Sequence, residues 1–393
     1  MITETSFIQI FGLLGGLFVL AFFANQQSQR TRVPDVIILM ITGLVLGPIA
    51  GWIKADQFAT FTQYLGTFAL ILILFQAGSE LHVRDAVRHF PGAVLFGFLT
   101  YGLSVTAITY IGLWVLKLPL HQALLLGAAF GCTSSTLVVP VLQQFDVRGA
   151  VSVILILEAA LGDIVSVISV GSLIDIPQGN TVVSGLLTGF VFETSIAVIL
   201  GVIAGVSWSH ARSRFAAHRF YGALHIGGVL LVYALVEVVG GSGLLAVLAF
   251  GLTLANVPNG ANETDVEGVL IFHSDLSFLV RSFFFVLLGA SVEFIGQPYL
   301  VATGLILVGL FLARMISIYT TGWALPGIGE PEKKLISGLF PRGLVNAVLS
   351  IQIAARQPGM AFLPAMAFTV ILVTSLLMVV GVFRFRPRSP GQK

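Results

Sequence analysis

Four acids interrupt long apolar runs of this chain: Glu158 and Asp163 in one run, Glu193 and Glu237 in two others. Three arginines do the same, Arg281, Arg314 and Arg342. A charge at the centre of a bilayer costs at least about 2.5–3.5 kcal/mol on the mildest scale, so each such residue needs a partner, a proton or a task. Asp163 stands in Ile156-Leu157-Glu158-Ala159-Ala160-Leu161-Gly162-Asp163-Ile164-Val165, with no basic neighbour in sequence. Desolvation favours the neutral form of a carboxyl group. A carboxylate there holds either a proton or a dehydrated cation, and the two compete for one place. A purely structural Asp163, bonded to kinked backbone, is the plainer alternative.

Glu158 lies five residues earlier, about 140° around a helix from Asp163, and need not share a cavity with it. Arg314 is its natural counter-ion, because a guanidinium keeps its proton and an unpaired buried one is prohibitive. We read Glu158 and Arg314 as a structural ion pair. Arg281 and Arg342 are read as charge compensation for an ionised Asp163, with snorkelling to an interface as the alternative for Arg281. Glu193 and Glu237 suit lipid-edge, dimer-contact or cavity positions. The histidines lie in or near loops apart from His225 and read as surface residues, with His82 and His89 as candidate pH sensors.

The elements that carry these residues follow from composition. Of 393 residues, 56% are hydrophobic and 10% charged, against about 25% charged in a soluble domain. The bilayer must be the main solvent, which excludes a soluble enzyme. The single cysteine, Cys132, excludes an intramolecular disulfide framework and a cysteine metal cluster. Met1 to Ser6 carry Glu4 and no basic residue, so the first apolar stretch reads as a retained helix. With about 20 apolar residues per span, thirteen spans are expected: 6–25, 34–50, 59–80, 91–115, 121–142, 150–174, 182–207, 222–239, 242–257, 272–293, 299–322, 334–354 and 361–383. A short tail after Phe383 implies no soluble regulatory domain. Neither a cofactor nor a nucleic-acid partner is expected.

Loops after odd-numbered spans, with the C-terminus, hold Arg30, Arg32, Arg84, Arg88, Arg148, Arg212, Arg214, Arg219, Lys333, Lys334, Arg384, Arg386, Arg388 and Lys393; the other side holds Lys54, Lys117 and Arg356. By the positive-inside rule the N-terminus is outside and the C-terminus cytoplasmic.

The halves also resemble each other at an offset of about 207 residues. Thr42-Gly43-Leu44-Val45-Leu46-Gly47 recurs as Phe250-Gly251-Leu252-Thr253-Leu254-Ala255, and Leu137-Val138-Val139-Pro140-Val141-Leu142 as Leu344-Val345-Asn346-Ala347-Val348-Leu349. Pro91 answers Pro298. Chance matching between apolar helices is the alternative. The shared offset maps helices 1–6 onto 8–13 with opposite orientation, and inverted repeats mark secondary transporters. The expected units are residues 1–176, a linking helix in 177–215, and 216–393. At equivalent places, helix 5 reads Gly131-Cys132-Thr133-Ser134-Ser135-Thr136 and helix 12 reads Phe340-Pro341-Arg342-Gly343. Pro and Gly break helices, and broken backbone at membrane depth survives only in protein or along a cavity. Simple Pro kinks are the alternative. The offset puts Val370 opposite Asp163, so one titrating site is expected. The hydroxyls of Thr133, Ser134 and Ser135, with unwound carbonyls of helix 5, are expected to complete a monovalent cation's shell beside Asp163.

These segments resemble the monovalent cation:proton antiporter superfamily, which includes sodium/proton exchangers and potassium-efflux antiporters. Val33-Pro34-Asp35 through Gly43-Leu44-Val45-Leu46-Gly47-Pro48 is similar to its second-helix signature, and Leu74-Phe75-Gln76-Ala77-Gly78-Ser79-Glu80-Leu81 to its third. Glu158 before Asp163, Leu312-Ala313-Arg314, Phe283 to Gly289 and Pro341-Arg342-Gly343-Leu344 look like later signatures. Two positions depart. Gly162 stands where the superfamily commonly has Asn, Asp or Gln, and Thr133-Ser134-Ser135 where exchangers often have Thr-Asp-Pro. The resemblance implies an all-α integral membrane fold of about thirteen transmembrane helices, two inverted six-helix repeats and crossed discontinuous helices 5 and 12. It implies electroneutral exchange of protons for Na+ or K+ in the inner (plasma) membrane by a homodimer. A cation channel or leak on the same scaffold, and a sodium-coupled organic anion symporter, remain the alternatives.

Overall fold

A computed structural model describes residues 4–31, 33–53, 55–80, 90–145, 147, 149–174, 182–215, 218, 220–257, 263–292, 296–325, 327–357 and 359–385. His82 and His89 lie outside the described residues, as do Arg32, Lys54, Arg84, Arg88, Arg148, Arg219, Arg386, Arg388 and Lys393 from the orientation argument. The described secondary structure is all helical. In chain order the elements are α1 (Glu4–Thr31), α2 (Asp35–Leu44, extended by a π turn Val45–Ile49), α3 (Ala55–Glu80), α4 (Phe90–Trp114), α5a (Leu120–Phe130), α5b (Ser135–Gln144), α6 (Ala150–Ile174) and α7 (Val182–Phe215). There follow α8 (Tyr221–Val238), α9 (Gly243–Asn256), α10 (Glu263–Ala290), α11 (Gln297–Thr321), α12a (Glu330–Gly338), α12b (Leu344–Arg356) and α13 (Leu363–Phe385).

Every predicted span falls on a helix or a broken helix. Among the described residues, nine stretches are long and apolar enough to cross a membrane, and 35–49, 243–256 and 344–356 are shorter apolar helices. The two predicted interruptions are present. Helix 5 unwinds over Gly131–Ser134 and helix 12 over Leu339–Gly343. Pro140 sits inside α5b and not at the break.

Lipid supplies no hydrophobic drive between helices, so they associate by close packing through small residues. A Cβ on Gly43 of α2 would lie 2.0 Å from the Val286 carbonyl oxygen of α10, and one on Gly289 of α10 would lie 2.3 Å from the Met40 oxygen of α2. The α3–α9 contact uses the same device. A Cβ on Gly78 would lie 2.4 Å from the Leu248 oxygen, and one on Gly251 would lie 2.4 Å from the Phe75 oxygen. Gly43 and Gly251 are the two glycines aligned by the internal offset. These contacts lock α2 to α10 and α3 to α9, leaving α4–α6 and α11–α13 to be positioned against them.

Gly251→Val is expected to wedge α3 from α9 and destabilise the fold by at least the roughly 1–3 kcal/mol of an overpacked core. Thermal melting in detergent checks this. Gly102→Val should melt unchanged, since nothing lies within 4 Å of a Cβ there.

Candidate functional site

The two unwound segments cross. The Ser134 backbone N–H donates to the Pro341 carbonyl at 2.9 Å. A Cβ on Gly343 would lie 2.2 Å from Ser134 Oγ, so only glycine allows the strands this close. Breaking two helices frees backbone groups that cannot reach water at this depth and must find partners inside the protein.

Arg342 supplies most of them. It is 1% exposed. Its Nε donates to Phe130 O at 2.7 Å, and its terminal nitrogens to Gly131 O (3.3 Å), Phe340 O (3.1 Å) and Thr133 Oγ1 (3.4 Å). A fixed cation thus sits on the C-terminal carbonyls of α5a, where a helix end is negative. Asn346 adds its Nδ2 to Ala129 O at 2.8 Å and Cys132 O at 3.4 Å, while its Oδ1 accepts from Gly343 N. Ser166 donates to Ala128 O at 2.7 Å. Carbonyls 128 to 132 are therefore all engaged by side chains. Each of these oxygens keeps a second lone pair for a further ligand.

The hydroxyls divide similarly. Thr133 Oγ1 accepts from Arg342. Ser134 Oγ pairs with Thr136 Oγ1 at 2.8 Å. Only Ser135 of the three reaches Asp163, donating from its Oγ at 2.5 Å and its backbone N at 3.2 Å to Oδ2. Asp163 is 1% exposed. It lies at the N-terminus of α5b, the positive end of that half-helix. Gly162 brings α6 this close: a Cβ there would already stand 3.3 Å from Cys132 Cβ. Among the described residues no cation forms an ion pair with Asp163, and its Oδ1 is buried without a hydrogen-bond partner. A buried carboxylate left so is costly unless a proton or a cation joins it.

Arg314 and Glu158 meet at 2.8 Å, 0% and 2% exposed. Arg314 Nε also donates to Ile336 O of α12a, and its guanidinium lies over the Phe96 ring of α4 at 4.7 Å. One arginine thus ties α4, α6, α11 and α12a together. Arg281, expected to compensate Asp163, is instead paired with Asp35 at 3.0 Å. Asp35 is buried, and sequence gives no hint of its partner 246 residues away. The histidine reading is corrected too: His121 and His273 are buried, with Nε2 at 2.7 Å from Leu173 O and 2.8 Å from Leu72 O. Glu237 accepts from Gly243 N at 2.9 Å, capping α9.

Two cavities flank Asp163 along α6. One, of about 530 Å³, is lined by Ser135 and Thr136 of α5b, by Ile156 and Ala160 of α6, and by Asn25, Gln76, Asp275 and Arg281 of the facing helices. The other, of about 270 Å³, is lined by Val167, Gly171 and Ile174 of α6 and by Glu193, Glu237, Gln352 and Arg356. Between them Ile164 and Val167 face Leu74, Leu244, Leu245 and Leu248 around a void of about 10 Å³. That space is apolar and at the lower limit for one water. Ser135, which holds Asp163, lines the first cavity, and on α6 an apolar seam at Ile164 and Val167 separates that cavity from the second.

Residues 16–385 match the family model for the transmembrane sodium/hydrogen exchangers. The chain belongs to that family. It is a multi-pass membrane transporter of the cation:proton exchange type. It is 26% identical over 357 residues to Na(+)/H(+) antiporter 1 of Methanocaldococcus jannaschii, covering 87% of this chain and 82% of that protein. It is 26% identical over 386 residues to the K(+)/H(+) antiporter NhaP2 of Shewanella oneidensis, covering 94% of this chain and 65% of that longer protein. Its fold matches the solved sodium proton antiporter MjNhaP1 of Methanocaldococcus jannaschii with a TM-score of 0.79, 22% identity, and coverage of 96% and 95%.

Arg314→Met strands a buried Glu158 and is expected to destabilise the family fold by about 3–5 kcal/mol, whereas Glu158→Leu with Arg314→Met should lose less. Melting temperatures and yields of the single and double variants check this, and additive losses would show that the two residues do not act as a pair.

Proposed function

We propose that Asp163 carries a proton and a monovalent cation, Na+ or K+, alternately and one for one. The observation that carries the reading is a buried carboxylate without an ion-pair partner, lying between cavities on its two sides. With one titrating group, each cation bound displaces one proton, so the exchange is electroneutral. Glu158–Arg314 and Arg342 are proposed as permanent members of the moving body, since their charges are matched by a carboxylate and by carbonyls. Ser135 positions the carboxylate. Thr133 and Ser134 serve through Arg342 and the helix crossing. Arg281 is assigned to Asp35 and not to Asp163.

Movement of α4–α6 and α11–α13 against α2, α3, α9 and α10 would open the seam and close the first cavity. The matched breaks and matched glycine contacts support two inverted repeats in 1–176 and 216–393 around a linking helix in 177–215. The charge bias supports a plasma (inner) membrane protein with its N-terminus outside and C-terminus cytoplasmic. On that orientation the first cavity faces the cytoplasm. A homodimer is proposed by likeness to the family. A channel would need an open path past Asp163, and the dry seam argues against one. An organic anion would meet Asp275 and Asp163, both of the wrong sign.

Asp163→Asn is expected to leave folded protein that moves no protons when a cation gradient is applied to proteoliposomes; full retention of exchange would sink the assignment. Asp275 faces the first cavity and, among the described residues, has no ion-pair partner. Asp275→Asn should raise the apparent KM for the cation by about two- to fivefold at low salt. The effect should fade as ionic strength shortens the Debye length, with kcat little changed.

A further inference from the structure

We infer that the second cavity is an electrostatic latch: Arg356 on the moving body and Glu193 and Glu237 on the fixed helices favour the present state, with the α6–α9 seam closed. This rests on the two-body movement proposed above.

The cavity of about 270 Å³ lies on the boundary between the two bodies. One wall is α6 and α12b, with Val167, Gly171, Gln352 and Arg356. The other is α7, α8 and the start of α9, with Glu193, Tyr233, Glu237 and Leu244. The helices α7 and α8 are held to α9 by the same glycine packing that joins α9 to α3. A Cβ on Gly201 of α7 would lie 2.4 Å from the Ala246 oxygen of α9, and one on Gly243 of α9 would lie 2.6 Å from the Tyr233 oxygen of α8.

Charge divides by body. Among the described lining residues both acids stand on fixed helices, and the base stands on the moving one. Tyr233 lies within electrostatic range of both Glu237 and Arg356, so the opposite charges come together across the cavity. One turn before Arg356, Gln352 Nε2 donates to Thr67 Oγ1 of α3 at 3.3 Å, a hydrogen bond between the two bodies. Such contacts are modest in a partly wet place. They still bias the equilibrium in full, because they exist in one arrangement of the bodies and are lost in the other. Arg356 ends α12b, and Glu193 lies well inside α7. A displacement that carries Asp163 towards the second cavity carries Arg356 the same way, out of reach of Glu193. The cavity returns the separated charges to water. Glu158 and Arg314, by contrast, travel together inside one body and need no such exit.

The seam itself reports the state. Leu245 is buried there, and the single cysteine, Cys132, is buried too. Leu245→Cys in the full chain therefore gives a thiol that a membrane-impermeant maleimide reaches when the seam opens. Val167→Cys is the second reporter, from the facing helix. Labelling is followed in right-side-out and inside-out membrane vesicles. From the side that the second cavity faces, Arg356→Gln and Glu237→Gln should each raise the labelling rate about two- to fivefold. Arg356→Lys should keep the parent rate, and Arg356→Glu should exceed Arg356→Gln. That order follows charge, which a merely loosened fold would not. The apparent KM for Na+ or K+ from that side should fall by the same factor in both Gln variants, as the population open to it rises. A cavity that only attracts cations predicts opposite KM shifts, since one variant removes a positive charge and the other a negative one. Opposite shifts, or labelling unchanged from both sides, would overturn the latch. Charge-ordered labelling with full exchange in Asp163→Asn would uphold the latch and sink the aspartate reading. Labelling blind to charge, with exchange lost in Asp163→Asn, would do the reverse.

Discussion

Backbone polar groups cannot be left open inside a membrane, and this one rule organises the centre of the molecule. Interrupting two helices there frees carbonyls at the C-termini of α5a and α12a and N–H groups at the starts of α5b and α12b. Arg342, Asn346 and Ser166 close the α5a carbonyls, Arg314 closes Ile336 O, and the crossing strands bond each other through Ser134 and Pro341. The charged groups that close the negative ends are arginines, which do not titrate. The group at the positive end of α5b is an aspartate, which does. So the break holds its positive charge permanently and its negative charge only when no proton is bound. The same accounting that stabilises the crossing isolates Asp163 as the one place there where charge can change.

Much of this was legible because charges and helix breakers are rare in such a chain. Asp163, the pair Glu158–Arg314 and both interruptions stood out by residue type against an apolar background. Partner choice was harder. Arg281 had several acids within conceivable reach, and only packing decides that Asp35 meets it. Asn346 carries no signal in sequence, since one amide in an apolar helix resembles a tolerated polar residue, yet it closes as many groups at the crossing as any residue except Arg342. His273 was misread because its nearness to a loop suggested exposure, while α10 in fact carries it inward against Phe75. Asp275 sits four residues into the predicted span of helix 10, where an acid is indistinguishable from ordinary helix-end polarity. The capping of the α5a carbonyls by side chains had no sequence signal at all, because it depends on which side chains separate helices bring to one point.

The remaining feature is the contrast between what is locked and what is free to slide. Contacts of α2 with α10 and of α3 with α9 are made backbone to backbone through glycine, where a shift of a few tenths of an ångström already produces overlap. The seam between α6 and α9 is different. Ile164, Val167, Leu244, Leu245 and Leu248 meet there through branched side chains alone, and dispersion contacts of that kind reform at a new register without leaving a polar group unpaired. A polar seam would have to break hydrogen bonds in a dry setting each time it opened. Polar residues are kept to the cavities on either side, where water can replace a lost partner. Ile156 and Ala160 below Asp163, and Val167 and Gly171 above it, lie on one continuous helix. A displacement of that helix as a rigid body therefore moves the carboxylate from one cavity towards the other, with the internal bonds of the crossing carried along intact.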